Sequence, residues 1–180
     1  MNISKMKSTI KIVSMVTICT LDQSLDLLYL SNNIEGAILP KKLGSWVKYR
    51  IKPENYYVAF YKSGKFLITG VKSLETINNT AQRVLKILEN AGVHSSLTKT
   101  DIVNIVCLGT LQLNTTLEKI VFHLDSSDAS YEPEQFPGLI YKKWGVTFLI
   151  FSTGKVIITG IRDFDQAKIL FEKLEKLLNQ

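Results

Sequence analysis

Residues able to do covalent or metal chemistry are few in this chain and poorly spaced for it. The two histidines, His94 and His123, lie far along the sequence from both cysteines, Cys19 and Cys107. A structural zinc site draws its ligands from closely spaced Cys and His pairs, and the sequence offers none. No Ser/His/Asp or Cys/His set falls in a recognisable frame. Ser63-Gly64-Lys65 and Thr153-Gly154-Lys155 put glycine before lysine, yet both lack the glycine spacing of a phosphate cradle. The chemistry that remains is non-covalent. Cationic side chains, hydroxyls and large apolar groups predict surface recognition, with no cofactor, no metal and no enzyme activity.

Charge says where such recognition is strongest. The 180-residue chain carries a formal net charge of +6. Residues 1–90 hold 13 Lys and Arg against 6 Asp and Glu, a balance of +7, whereas residues 91–180 hold 9 against 10, a balance of −1. The excess fits a polyanionic partner attracted mainly by the first half, although a charge this size is also ordinary for solubility. Apolar residues make up 46% and charged residues 21%, the composition of an ordered globular protein. No apolar run reaches the roughly 18–20 residues of a membrane span, so no membrane partner is expected. Cys19 and Cys107 fit neither a CxxC spacing nor equivalent places in the repeat described next, and are expected to be buried free thiols in a reducing compartment.

The elements that must position these side chains occur twice. Tyr61-Lys62-Ser63-Gly64-Lys65-Phe66-Leu67-Ile68-Thr69-Gly70-Val71-Lys72 recurs 90 residues later as Phe151-Ser152-Thr153-Gly154-Lys155-Val156-Ile157-Ile158-Thr159-Gly160-Ile161-Arg162. The same offset relates Ser14-Met15-Val16 to Asn104-Ile105-Val106, and Leu27 to Leu117. A period of half the chain is too long for a solenoid and describes two copies of one small α+β unit, residues 10–92 and 101–178. Each copy opens with an alternating β-branched run, Ile10 to Thr20 and Asp101 to Leu111. A short helix follows (Leu25 to Ser31; Leu117 to Asp125), then a loop marked by Pro40 or by Pro133 and Pro137. Three strands come next: Trp46 to Ile51, Tyr56 to Tyr61 and Phe66 to Val71, or Leu139 to Lys143, Val146 to Phe151 and Val156 to Ile161. Gly64 and Gly154 sit where a hairpin needs positive φ. Each copy closes with an amphipathic helix, Leu74 to Ala91 and Phe164 to Leu178, the first followed by a capping Gly92. Two copies in one polypeptide make a pseudo-dyad, which suits a roughly two-fold partner such as duplex DNA.

Two helices per copy cover one face of a sheet, yet the last strands are apolar on both parities. Phe66 and Ile68 can face the helices. Leu67 and Thr69 must then face away, beside Ala59 and Tyr61, as must Ile157 and Thr159 with Leu149 and Phe151. A solvated sheet face alternates apolar with polar residues, so this second face is expected to have an occupant: a ligand, or a second subunit.

Tyr131-Glu132-Pro133-Glu134-Gln135-Phe136-Pro137-Gly138-Leu139-Ile140-Tyr141, with Leu149-Ile150-Phe151-Ser152-Thr153-Gly154-Lys155, Thr159-Gly160 and Ile102-Val103-Asn104-Ile105-Val106, strongly resembles the second repeat of archaeal TATA-box-binding proteins. Thr20-Leu21-Asp22-Gln23-Ser24-Leu25-Asp26-Leu27 and Lys62 through Gly70 resemble the first repeat more loosely. The resemblance spans about residues 10–178. It implies an α+β fold of two pseudo-symmetric repeats, a curved ten-stranded antiparallel saddle with four helices on its convex face. It also implies a promoter-binding general transcription factor of the archaeal cytoplasm, nucleoid-associated and monomeric on DNA. Such a protein binds and bends A·T-rich (TATA) DNA through the minor groove and recruits the B-type transcription initiation factor.

The resemblance also assigns residues. Asn104 matches the family's central Asn, whose amide can donate to the acceptors at A·T pairs. Val106, Leu149, Ile157 and Thr159 match the groove floor. Phe136, backed by Pro137, and Phe151 match the wedges that insert at a base step. Lys155, with Lys142 and Lys143, would lie near phosphates, and Glu132 and Glu134 match the surface that meets the B-type factor. The first copy departs from this pattern. Ser14 stands for the Asn, Leu43-Gly44 for Phe-Pro and Tyr61 for the second Phe, while Val16, Leu67 and Thr69 keep the floor and Lys65 the phosphate position. Lys41, Lys42, Lys48 and Arg50 add charge beside the altered wedge, which shifts this copy towards phosphate contact. These departures leave an alternative open: a protein-interaction module or regulator with weakened or lost TATA binding.

Overall fold

The computed structural model describes residues 9–40 and 46–179. These form two compact units, one drawn from residues 14–103 and the other from 9–13 with 104–179. The chain order is β1 (Ile10–Leu21), α1 (Leu27–Asn33), β2 (Trp46–Ile51), β3 (Tyr56–Tyr61), β4 (Lys65–Val71), α2 (Leu74–Asn90), β5 (Leu97–Thr110), α3 (Leu117–His123), β6 (Ala129–Ser130), β7 (Leu139–Lys143), β8 (Val146–Ile150), β9 (Lys155–Ile161) and α4 (Phe164–Leu178). Nine strands of open antiparallel sheet form among the described residues, in the order β2-β3-β4-β1-β5-β9-β8-β7-β6.

The expected tenth strand is reduced to a single bridge. Ile38 and Lys48 exchange both backbone hydrogen bonds at 2.8 Å. The next such pair would need Gly36, whose φ is +79°, or Pro40, which has no N–H to give. The second repeat lacks both obstacles. There the Lys142 N–H donates to the Asp128 carbonyl at 2.7 Å, and Ala129 and Ser130 pair with Tyr141 and Ile140. Most other boundaries fall within a residue or two of expectation, but β5 starts four residues earlier than Asp101.

Local sequence explains the helices. Asp26 caps α1, its carboxylate accepting from the Leu28 and Tyr29 N–H groups at 3.0 Å. Ser73 caps α2 by accepting from Thr76 N–H at 3.1 Å. At the other end Gly92 has φ +81°, and Val93 N–H returns to the Leu88 carbonyl at 2.8 Å, which closes the last turn. Ile77, Thr80, Ala81, Val84 and Leu88 of α2 are buried, and α2 packs on β4. Ala167, Leu170, Phe171 and Leu174 of α4 are buried likewise, and α4 packs on β9. The sheet side beneath is equally dry: Phe60, Phe66, Ile68, Phe148 and Ile158 have no exposure. Burying each such side chain stabilises the fold by about 1.5–3 kcal/mol.

The repeats fill one place differently. In the second, Gly109 leaves room for Phe171, because a Cβ there would lie 2.4 Å from that ring. Ninety residues earlier the counterparts are Cys19 and Ala81, both buried, so bulk has moved from helix to strand. Both cysteines are free, and burial pushes each thiol up to about 11.

Glycines set the register on which the exposed face depends. The pairing slips between Met15 and Val16 on β1 and between Ile105 and Cys107 on β5. The extra residue opposite is Gly70 in one case and Gly160 in the other, with φ +97° and +94°. The turn glycines Gly64 and Gly154 also have positive φ, and a Cβ on either would meet the Gln23 or Leu111 carbonyl oxygen at 1.9 or 2.2 Å. That close approach lets Leu21 and Leu111 donate to the Gly64 and Gly154 carbonyls at 2.8 Å.

Candidate nucleic-acid interface

Strand alternation divides each sheet into a dry face under the helices and a half-exposed face away from them. On β4, Phe66 and Ile68 are buried while Leu67 and Thr69 are half-exposed; on β9, Val156 and Ile158 are buried while Ile157 and Thr159 are half-exposed. Directly paired residues of an antiparallel ladder share a face, so the register assembles the second face residue by residue.

In the second repeat three rows cross the strands. An apolar row runs through Leu108, Ile157, Leu149 and Ile140 as successive cross-strand partners. Every member is half-exposed, which is costly in water without an occupant. A polar row joins Thr159, Thr147 and Lys142. Asn104 extends it, its Oδ1 accepting from the Gly160 N–H at 2.9 Å and its Nδ2 donating to Thr159 Oγ1 at 3.2 Å. The bulge at Gly160 thus supplies the N–H that fixes which way the amide points. One Nδ2 hydrogen is used on Thr159, and the amide carries a second. Val106 is half-exposed on the same side of β5.

The third row is aromatic. The Phe136 and Phe151 rings meet edge to face with centroids 5.8 Å apart. A short turn presents Phe136: the Glu132 carbonyl accepts from the Gln135 and Phe136 N–H groups, both at 2.9 Å. Gly138 makes the seat, since a Cβ there would come within 2.7 Å of Phe136 and 3.1 Å of Phe151. Pro137 is exposed beside the pair, and Glu132 and Glu134 are exposed on the same turn. Lys155 stands exposed just past the turn glycine. Lys143 does not: it is ion-paired to Asp128, and that bond holds its ammonium above the ordinary lysine range.

The first repeat keeps the frame and changes the filling. Val16 pairs with Thr69, and Ile18 with Leu67, all half-exposed. Leu67 then meets Ala59, and Ala59 meets Lys48. Ala59 lies on the open face as expected, between Leu67 and Lys48, but it is only 2% exposed, so the apolar row narrows after Leu67 and gives way to Lys48. Thr69 meets Tyr57, and Tyr57 meets Arg50, whose guanidinium lies 4.9 Å above the Tyr57 ring. Tyr61 is half-exposed and pairs with Trp46. Ser14 is half-exposed at the Asn104 position, and Lys65 is exposed past Gly64. Leu43, with Lys41 and Lys42, lies outside the described residues.

Sequence spacing missed Ile18, Trp46, Tyr57, Leu108, Ile140 and Thr147. The signal for Ile18 and Leu108 was the alternation of β1 and β5; that for the other four was the parity of β2, β3, β7 and β8, hidden because the connection 52–55 in one repeat is two residues longer than 144–145 in the other. Among the described residues no group of three or more His, Cys, Asp or Glu could hold a metal, and no helix is long and apolar enough to cross a membrane.

Comparison with known proteins agrees with this architecture. A family model described as transcription factor TFIID, or TATA-binding protein, matches residues 9–91 and again 99–180. The TATA-box-binding protein of Sulfolobus acidocaldarius is 34% identical over 178 residues, covering 95% of this chain and 89% of the relative. That of Pyrodictium occultum is 35% identical over 183 residues, covering 95% and 88%. The solved structure titled Methanococcus jannaschii TBP superposes with a TM-score of 0.82 at 30% identity, covering 94% of this chain and 98% of that one.

Proposed function

The chain belongs to the TATA-binding protein family, whose members are transcription factors and not enzymes, and on that premise we propose that it binds A·T-rich duplex DNA through the minor groove. The helix-free face of each repeat is the binding surface. The minor groove of A·T pairs presents acceptors alone, whereas a G·C pair adds the guanine amino group. The free Nδ2 hydrogen of Asn104 suits those acceptors, and the row Leu108, Ile157, Leu149 and Ile140 penalises a projecting amine that it cannot pair.

The observation that carries this reading is the seating of Phe136 and Phe151 together over Gly138, in the column beside that apolar row. Kinking at inserted apolar side chains is established for this family, and unstacking a base step costs on the order of a few kcal/mol. The two rings are the bending wedge of the second repeat. Lys65 and Lys155 lie near phosphates, and the chain acts as a monomer. Glu132 and Glu134, on the turn that presents Phe136, form the surface for the B-type initiation factor.

One observation favours a second reading, a protein-interaction module with weakened DNA bending. The apolar row of the first repeat shrinks after Leu67 to a small, covered Ala59 and ends on the cation Lys48. A gel shift at low salt separates the two. An A·T-rich duplex shifted by the chain, and supershifted by the B-type factor, supports promoter binding. No shift with or without that factor supports the interaction module.

A further inference from the structure

We propose that Trp46 is the base-contacting aromatic of the first repeat, doing with its own ring what Phe136 does in the second. The inference rests on the reading that the helix-free faces meet duplex DNA.

Register fixes the equivalence. Tyr61 corresponds to Phe151 at the 90-residue offset, but the longer connection 52–55 changes the offset for the preceding strand to 92. Trp46 pairs with Tyr61, and Leu139 pairs with Ile150, so the residue beside Phe151 is Gly138. Trp46 therefore occupies the place of Gly138. The outer bridge gives the same answer independently, since Ile38 with Lys48 matches Ser130 with Ile140 at the same offset of 92.

That place is where the second repeat keeps a vacancy for a ring. Any Cβ on Gly138 would collide with Phe136 at 2.7 Å, so the ring of a residue two positions upstream lies over the glycine. Counted back along the sequence, the residue two before Trp46 is Gly44, which has no side chain to lend. The two repeats thus exchange the roles: Phe then Gly in one, Gly then Trp in the other.

Burial and neighbours point the same way. Val47 and Ile51, on the opposite parity of β2, are 0% and 2% exposed and fill the core, which leaves Trp46 half-exposed on the other face. Lys48 and Arg50 follow it on that face, both exposed. An indole between Tyr61 and two cations has the chemistry to stack on a base opened at a kinked step, while the cations meet the flanking phosphates. Its N–H is a donor, matched to the acceptors of A·T pairs.

The chain has two tryptophans, which makes the test direct. Trp144 sits on the β7–β8 connection against Tyr141 and Phe148, away from the face in question. In a Trp144→Phe variant Trp46 is the sole indole. Titration with a dye-labelled A·T-rich duplex is expected to quench its emission and to saturate together with the anisotropy of the label. Trp46→Ala is expected to weaken binding about tenfold, and Trp46→Phe to restore most of it, at unchanged thermal stability. Saturating anisotropy with unchanged indole emission, or a Trp46→Ala protein that binds like the parent, overturns the assignment and leaves the DNA-binding reading standing. No anisotropy change in the parent chain overturns both.

Discussion

Asn104 and Thr17 show how much turns on a single hydrogen bond. Asn104 is held by the Gly160 N–H and Thr159, so its remaining amide hydrogen has a fixed direction. Asn104→Ala is expected to cut the preference for A·T over G·C duplex by about tenfold, measured by competition binding, with little change in non-specific affinity. Phe136→Ala should lower both affinity and the bend angle read by energy transfer between end-labelled duplex ends. Thr17 is the opposite case: fully buried, with an Oγ1 that has no partner among the described residues. An unpaired buried hydroxyl costs about 1–3 kcal/mol. Thr17→Val should therefore raise stability by about 1 kcal/mol in urea unfolding; a loss would mean the hydroxyl is satisfied after all. Much of this scale was legible in the sequence. The Tyr-x-Pro-x-x-Phe-Pro-Gly frame and the Asn104 position are motif-borne. The Asn104–Gly160 bond was not, because it depends on a bulge that no spacing reveals.

Elements were legible where periodicity is strong and obscure where a ladder is short. The helices α2 and α4 follow from their apolar stripes. β6, two residues long, does not, nor does the loss of its first-repeat counterpart to Gly36 and Pro40. The hairpin between β2 and β3 matters most, because its two extra residues put Trp46 in the Gly138 column, where the 90-residue offset points elsewhere. Packing between elements gives a sharp prediction. Gly109→Ala places a Cβ 2.4 Å from the Phe171 ring and should destabilise the fold by about 1–3 kcal/mol. Adding Phe171→Ala, which approaches the first repeat's own solution, should recover part of that loss; additive losses would sink the complementarity argument. A second prediction concerns acid. Asp22 accepts from Ser95 Oγ at 2.6 Å and from Ser96 N–H at 3.0 Å, and these bonds hold its carboxyl below the ordinary 3.8. Its contribution is present above pH 3.8 and is lost as pH falls through the lowered value. Asp22→Asn should flatten that part of the acid limb of the stability profile.

At the scale of the whole chain, one unit has been written twice and then edited unequally. The first repeat carries the positive excess and the cations Lys48 and Arg50 on its open face; the second carries the intact apolar row and the paired rings. Salt dependence should separate these contributions. Lys48→Gln with Arg50→Gln should reduce the slope of log affinity against log salt by about two, roughly one for each phosphate no longer neutralised. The claim beneath everything else is that the helix-free face reads the minor groove. Competition among three duplexes tests it most directly: one with an A·T-rich core, one with that core replaced by inosine·cytosine pairs, and one with guanine·cytosine pairs. Inosine lacks the guanine amino group, so its minor groove matches A·T while its major groove matches G·C. The inosine duplex is expected to compete nearly as well as A·T, and the guanine duplex to be weaker by about tenfold or more. An inosine duplex that competes as poorly as the guanine duplex would contradict it.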